Sequence, residues 1–406
     1  MNLSYFISKR ISGGSQNGFS TTIHKIAVVS IAIGLAASIV AFLIMKGFQE
    51  TVMDKIYSFS GHISVTKFSM NNSMEQQPMD FKIDLYKNPQ DYPYIRHVQE
   101  YATKVGVVKA DDEALGVVIK GVGERFHREI FSENLVAGRF LTFSDSGYSN
   151  DVVLSKVIAT KLRKDVGDDI IVHFFQNPPR FRRLKVVGVY ETNLSEYFDS
   201  RVVLCDIGLI QRLNDWPDSV AGGLEVFVTD PTRVDEAAFA LGDKIDFDLN
   251  IERISDRFIQ VFEWLGLLSR QVNILLGIIM TVVCVNMISV VLILVMERTQ
   301  MIGMLKALGG SNGLIRSIFV FNGVRLILKG LALGNILGLG VCFLQDRFKI
   351  IKLNPHDYYM SFVPISWHWD IVLALNIITL VLVTIILVIP TMAISRISPI
   401  RAIRFD

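Results

Sequence analysis

Along the 406 residues, apolar runs crowd the two ends and a polar stretch with strand-like alternation fills the middle. No residue between Lys25 and Lys46 is charged, and a helix needs about 20 such residues to cross a bilayer. Gln271 to Met296 and Ile371 to Ser395 are further uncharged runs. Between them, Arg316, Arg325 and Lys329 interrupt a fourth segment, which is free of charge only from Gly330 to Gln345. The pattern predicts transmembrane helices at 23–47, 269–296, 314–345 and 370–395. Residues 48–268 are too many and too polar for a loop, and enough to bury a core of their own.

Within that insertion, strand signals recur at His62–Val65, Val105–Lys109, Leu115–Gly121, Val152–Ser155, Ile170–Phe174, Leu184–Tyr190, Val202–Cys205 and Glu225–Val228. Helical spacing interrupts them at Lys156–Lys164, Ile207–Asn214 and Val234–Lys244. The expected fold is a membrane α-helical unit of four spans carrying a large α+β extracytoplasmic domain between helices 1 and 2. Subdomain boundaries are expected near Gly147 and Asp230. Before the first span, residues 1–22 hold a small amphipathic elbow with Leu3, Tyr5, Phe6 and Ile7 beside Lys9 and Arg10. The first apolar core is too long for a secretory leader and lacks a small-residue cleavage site, so it reads as a retained anchor.

Half of the residues are hydrophobic, which belongs to a membrane protein, and a net charge of +2 gives no argument for nucleic-acid binding. Cys205, Cys284 and Cys342 have neither a disulfide framework nor zinc spacing. Positive charges cluster at Lys9, Arg10 and Lys25, at Arg298, Lys306 and Arg316, and at Arg396, Arg401 and Arg404. With four spans, all three clusters fall on one side, which the positive-inside rule makes cytoplasmic. Both termini are then cytoplasmic, and the large domain and the short loop 346–369 are outside.

The search for chemistry returns little. There is no G-x-x-x-x-G-K-[ST], so the chain cannot cradle ATP in the usual way. Gly309-Gly310-Ser311-Asn312-Gly313 matches the hydrolase nucleophile elbow, but it lacks the strand before it and fits helix-terminating glycines better. No catalytic residue is assigned. His62, His97, His127 and His173 have no ligand spacing, so no metal site is assigned either. Two small-residue ladders, Ser30-Gly34-Ser38 and Gly330-Gly334-Gly338, put small side chains on one helix face each and predict close helix packing. The polar hairpin between spans two and three, 297–313, carries Met301, Ile302, Met304, Leu305 and Leu308 at helical spacing, an amphipathic helix ending at Gly309-Gly310.

The pattern Glu297-Arg298-x-x-x-Ile302-Gly303-x-Leu305-Lys306-Ala307-Leu308-Gly309 resembles the coupling helix of a family of ABC permeases. That family includes the lipoprotein-releasing LolC/LolE permeases, the macrolide-export type and the cell-division type. Met301 stands where the family usually has an acidic residue. Phe6-Ile7-Ser8-Lys9-Arg10 with Phe19 and Ile31-x-Ile33-Gly34, and Met45-Lys46-Gly47-Phe48-Gln49-Glu50 running to Gly61-His62-Ile63, are similar to the family's amino terminus. Leu353-Asn354-Pro355-x-x-Tyr358-Tyr359 with Pro364 resembles the last external loop of the lipoprotein branch, and Arg396 to Arg404 its tail.

The resemblance covers essentially the whole chain. It implies a non-catalytic permease subunit in the bacterial inner membrane, with no cofactor of its own. ATP and magnesium would be bound by a cytoplasmic ABC ATPase dimer docked on Glu297 to Gly309. A second permease copy or paralogue, lipoprotein substrates and a periplasmic lipoprotein carrier complete the implied partners. The carrier would be met at Phe174, Phe175, Pro178, Pro179, Arg180 and Phe181, and the lipid held by Met45, Phe48, Leu265 and Leu268. Two other branches imply other roles: a macrolide or peptide exporter with a periplasmic adaptor, and a non-transporting regulator of a cell-wall hydrolase.

Overall fold

The computed structural model describes residues 18–69, 75–110, 113–132, 134–143, 147–354 and 358–392. The amphipathic elbow at Met1–Arg10, Pro355 and the arginine tail from Arg396 lie outside the described residues. The chain divides into two units: a membrane unit (Met1–Glu50, Trp264–Lys352, Phe362–Asp406) and an outer unit (Thr51–Glu263, Leu353–Ser361).

The membrane unit is built from α1 (Gly18–Ser60), α2 (Ile259–Glu297), α3 (Thr299–Ala307), α4 (Asn312–Phe348) and α5 (Trp369–Thr391). Of these, α1, α2, α4 and α5 are long and apolar enough to cross a membrane. With 43 and 39 residues, α1 and α2 are roughly twice as long as a bilayer core requires. Their helices run well past the uncharged segments because nothing in the flanking sequence breaks them: neither Lys46–Ser60 nor Ile259–Arg270 contains a proline.

Inside the unit, Ile31, Leu35 and Ile39 of α1 pack with Met287 and Val291 of α2, Ile327 and Leu331 of α4, and Val383 and Leu387 of α5. The α4 ladder faces α1. A Cβ on Gly330 would lie 2.8 Å from the Ile31 side chain, one on Gly334 2.9 Å from the Ala32 carbonyl oxygen, and one on Gly338 3.0 Å from the Ala36 Cα. Only hydrogen fits there, so the glycines set the separation of α1 and α4. The α1 ladder has a different partner: Gly34 faces Val283 of α2, and Ser38 donates to the Gly34 carbonyl at 2.8 Å. Between α4 and α5, the side-chain amides of Asn335 and Asn376 exchange two hydrogen bonds, of 2.7 and 3.0 Å.

The outer unit is a mixed sheet with helices against it. Its strands are β1 (Ile63–Lys67), β2 (Met79–Asp80), β3 (Ile95–Ala110), β4 (Glu113–Val122), β5 (Leu135–Gly138), β6 (Asp151–Ser155), β7 (Asp169–Phe174), β8 (Arg180–Tyr190), β9 (Val202–Asp206), β10 (Val220–Ala221), β11 (Gly223–Val228) and β12 (Leu249–Arg253). Ten of them form one sheet in the order β12-β1-β11-β3-β4-β9-β6-β8-β5, with β7 pairing β3 and β8. Only β4–β9 and β6–β8 are parallel. This sheet contains strands from both sides of Gly147 and of Asp230, so it crosses both expected subdomain boundaries without a break.

Period-two alternation sorts the strands' side chains. One face, with Ile63, Val65, Val98, Ile119, Leu224 and Val226, packs into an apolar core with the helices Lys156–Leu162, Ile207–Leu213 and Val234–Gly242. The other face carries Ser64, Gln99, Tyr101, Lys120 and Glu225, all buried. The register places Ser64 opposite Glu225 and Glu225 opposite Gln99. Polar residues therefore line up across three neighbouring strands.

Candidate functional site

The hairpin between α2 and α4 is built to hold a short helix rigidly. The helix α3 ends in a Schellman turn: the Gly310 N–H donates to the Leu305 carbonyl at 2.8 Å and the Gly309 N–H to the Lys306 carbonyl at 3.0 Å. Gly309 sits at φ +86°, the left-handed conformation this turn needs. Ser311 then caps α4, its hydroxyl accepting from the Leu314 N–H at 3.2 Å. The whole G-x-S-x-G match is thus spent on stopping one helix and starting the next.

The faces of α3 differ. Ile302 and Gly303 are buried, and Met301, Leu305 and Leu314 pack against the same core, which fixes α3 to the bundle. Met304 and Leu308, one turn apart, are 54% and 85% exposed, and Glu297, Ala307 and Gly309 are exposed beside them. Arg298 and Lys306 are half-buried. An exposed apolar pair on an anchored helix is a docking surface in form. Met304 belongs to this face and was absent from the residues assigned by resemblance. Its spacing of four from Leu308 is the signal that marks it.

A second feature is an apolar groove of about 620 Å³ between α1 and α2, lined by Ile26, Val29, Ile33 and Gly34 against Ile278 and Val282. The four residues expected to hold the lipid, Met45, Phe48, Leu265 and Leu268, do not line this groove. Met45, Phe48 and Leu265 are buried and Leu268 is half-buried. Phe48 packs edge-on against Trp264 at 5.5 Å, and Gln49 donates to the Leu265 carbonyl at 3.2 Å and to Ser269 at 2.5 Å. These contacts seal α1 to α2 at that level, and the groove opens further along the helices, around Gly34.

The β7–β8 hairpin is the third. Of its expected carrier-binding residues, Phe175 and Phe181 are 79% and 65% exposed, and Pro178 and Pro179 are exposed at the turn. Phe174 is buried in the apolar core, because alternation along β7 turns it to the opposite face from His173. Arg180 is pinned, its guanidinium pairing with Asp215 at 2.8 Å and donating to the Leu213 carbonyl at 2.9 Å. The hydrogen bond from Arg180 holds the Asp215 carboxyl below its usual range. The exposed hairpin therefore presents two phenylalanines on a braced ribbon.

Comparisons with known proteins cover the chain from both ends. Residues 26–244 match the MacB-like periplasmic core domain and residues 273–399 the FtsX-like permease C-terminal. The lipoprotein-releasing system transmembrane protein LolE of Haemophilus influenzae is 24% identical over 92% of this chain and 93% of its own. The corresponding LolC of Neisseria meningitidis serogroup B is 23% identical over 96% of each chain. Among solved structures, the periplasmic region of MacB from Actinobacillus actinomycetemcomitans covers 51% of this chain and 95% of its own at 17% identity, with a TM-score of 0.35.

Proposed function

From the premise that the chain belongs to the family of multi-pass inner-membrane ABC permeases with a MacB-like periplasmic core and an FtsX-like permease unit, we propose that it extracts lipoproteins from the membrane. ATP and magnesium are bound by a cytoplasmic ATPase dimer, and the cargo passes to a soluble carrier in the periplasm. The termini and α3 lie on the cytoplasmic side and the outer unit on the periplasmic side. A second permease copy or paralogue faces this one, and the groove beside Gly34 lies open to acyl chains.

The observation that carries the reading is α3. Its inner face is locked to the bundle by Ile302, while Met304 and Leu308 face outward, uncovered among the described residues. A push on Leu308 is delivered to both α2 and α4, since α3 is joined to each by at most a few residues. Full-length relatives named for lipoprotein release and the exposed Phe175 and Phe181 support the cargo and the carrier.

The test reconstitutes the chain in proteoliposomes with its ATPase and an acylated lipoprotein, and adds a soluble carrier. Release should require ATP and fall at least tenfold with Leu308→Glu, while membrane insertion and the melting of the outer unit stay unchanged. Brisk ATP hydrolysis without release by the unaltered complex would favour an exporter or a regulator of a cell-wall hydrolase instead.

A further inference from the structure

The polar face of the outer sheet holds a buried charge network that none of the above uses. Lys120 of β4 and Glu225 of β11 form an ion pair of 2.6 Å, with both side chains almost wholly enclosed. The second Glu225 oxygen accepts from the Gln99 amide at 2.8 Å, and Gln99 in turn accepts from the His127 N–H at 3.0 Å. The Lys120 ammonium also donates to the carbonyl of Phe59. That carbonyl belongs to the last turn of α1, where helix geometry leaves backbone acceptors without an intrahelical donor. A cation there also meets the negative end of the helix dipole.

The neighbouring strand treats the approach to α2 in the same way. Arg257, two residues before α2 begins, pairs with Glu252 of β12 and donates to the Ser64 hydroxyl of β1 at 3.3 Å. Tyr101 of β3 stands between the two sets, its hydroxyl 2.9 Å from Ser64 and its ring 5.5 Å from the Lys120 ammonium. All of these residues belong to the outer unit. Every charge in the network has a partner, and so nothing in it calls for a ligand.

Stability alone gives no reason for such an arrangement. A buried ion pair is usually no more stabilising than apolar residues of the same volume. What it adds is direction. Around it, the end of α1 touches aromatic rings of the outer unit: Phe59 stacks on Phe198 at 4.3 Å and lies 5.9 Å from Phe131 and 5.8 Å from Tyr190 of β8. Such contacts are non-directional and let one surface slide on another. An ammonium held at once by a helix carbonyl and a strand carboxylate does not slide.

We propose that Lys120 is a positioning residue that locks the outer end of α1 to β4 and β11, so that axial displacement of α1 reaches the sheet. The inference rests on the permease reading, in which α1 moves during the ATP cycle, but it names where that motion enters the outer unit. Its failure and the failure of the lipoprotein reading give different results.

The experiment uses the full chain with its ATPase in nanodiscs. It follows amide hydrogen exchange in residues 57–61 and in β11 with and without ATP and vanadate, alongside lipoprotein release. The double variant Lys120→Met with Glu225→Met removes the lock without stranding a charge. It leaves the Gln99 amide without its acceptor, so we expect it to melt somewhat below the unaltered protein while remaining folded and hydrolysing ATP at the same rate. Its release should slow at least tenfold, and the ATP-dependent change in β11 exchange should vanish. Lys120→Arg, which keeps charge and donors, should restore both. Phe59→Leu removes the ring contacts, including the one the Lys120 ammonium makes at 4.9 Å, yet leaves the carbonyl and carboxylate that hold Lys120, and should transmit normally.

Wild-type release and β11 response in the double variant would overturn the proposal, as would loss of transmission in Phe59→Leu. So would an unaltered complex whose sheet does not respond to ATP. A sheet that responds without any lipoprotein leaving would instead refute the cargo reading, and Lys120 would still be judged by the exchange data.

Discussion

Where α4 meets α1, the chain has removed side chains; where α1 ends against the outer sheet, it has placed a lysine and a glutamate. Both are devices for fixing one element against another, and the difference follows from the surroundings. Lipid tails are as apolar as the helices, so there is no hydrophobic drive between them, and close approach at glycine supplies the dispersion contact that holds them. In the outer unit burial from water already drives assembly, through a core that includes Ile63, Val98, Ile119 and Leu224. Polar groups are then free to specify which contact is made. The membrane unit is thus positioned by shape and the outer unit by charge and hydrogen bonding.

Adding volume to the glycine ladder should have the largest effect. Gly334→Leu puts carbon against a backbone oxygen already only 2.9 Å from the site of its Cβ, with Leu35 at 3.1 Å on the other side. The Leu35 methyl can turn away, but its Cβ and the Ala32 carbonyl oxygen are fixed to the α1 backbone, so α1 and α4 must separate, at about 3 kcal/mol. Gly340, on the same helix, has no heavy atom within 4 Å of its Cβ position, and Gly340→Leu should be near neutral. Unfolding of the reconstituted protein in mixed detergent measures both. Equal destabilisation by the two would mean that helix propensity rather than contact controls the effect.

The outer unit has its own test, next in size, at His62. Its ring stacks on Tyr57 at 4.2 Å, and its Nδ1 is buried without a hydrogen-bond partner. Burial, aided by the charge of Arg96, pulls its pKa down to about 4. The folded state therefore holds the neutral ring while the unfolded chain takes up a proton at its ordinary value near 6.5. Stability from this group is intact above that value and is lost as pH falls toward 4, by roughly 3 kcal/mol. Glu100, Asp199 and Asp206, whose carboxyls burial pushes up, work in the opposite direction. They are unchanged in His62→Phe, so the difference between the variant and the parent isolates the histidine. The gap in melting temperature should widen in the variant's favour from pH 7 to pH 4; a constant gap would refute the assignment.

Much of this was legible in the sequence because it rests on local patterns. Uncharged runs located the four long helices, period-two alternation located eight strands, and Gly309-Gly310 located the end of α3. The four strands that went unread are short or at a sheet edge: β2 and β10 are two residues each, and β5 and β12 end the sheet. Partners in space were not legible. Nothing local says that Gly34 faces Val283 while Gly334 faces Ala32, or that Lys120 reaches Phe59 across 61 residues. The same limit applies to Phe174 and Leu265, assigned to binding roles from sequence and buried by tertiary packing.

The pair Asn335 and Asn376 lies between the two styles, a hydrogen-bonded contact inside the membrane unit. Each amide splits its two donors, one to the carbonyl four residues back at 2.8 Å and one across to the other helix. Asn376→Leu leaves the Asn335 oxygen without its donor and should cost about 1 kcal/mol, since interhelical polar contacts in lipid are worth little more. Replacing both by leucine strands no polar atom. If the double variant recovers parental stability, the amides contribute register between α4 and α5 rather than strength, which is the role argued for Lys120 and Glu225 in water. If it stays as weak as the single variant, the hydrogen bonds themselves hold these helices together, and shape is not the whole account of the membrane unit.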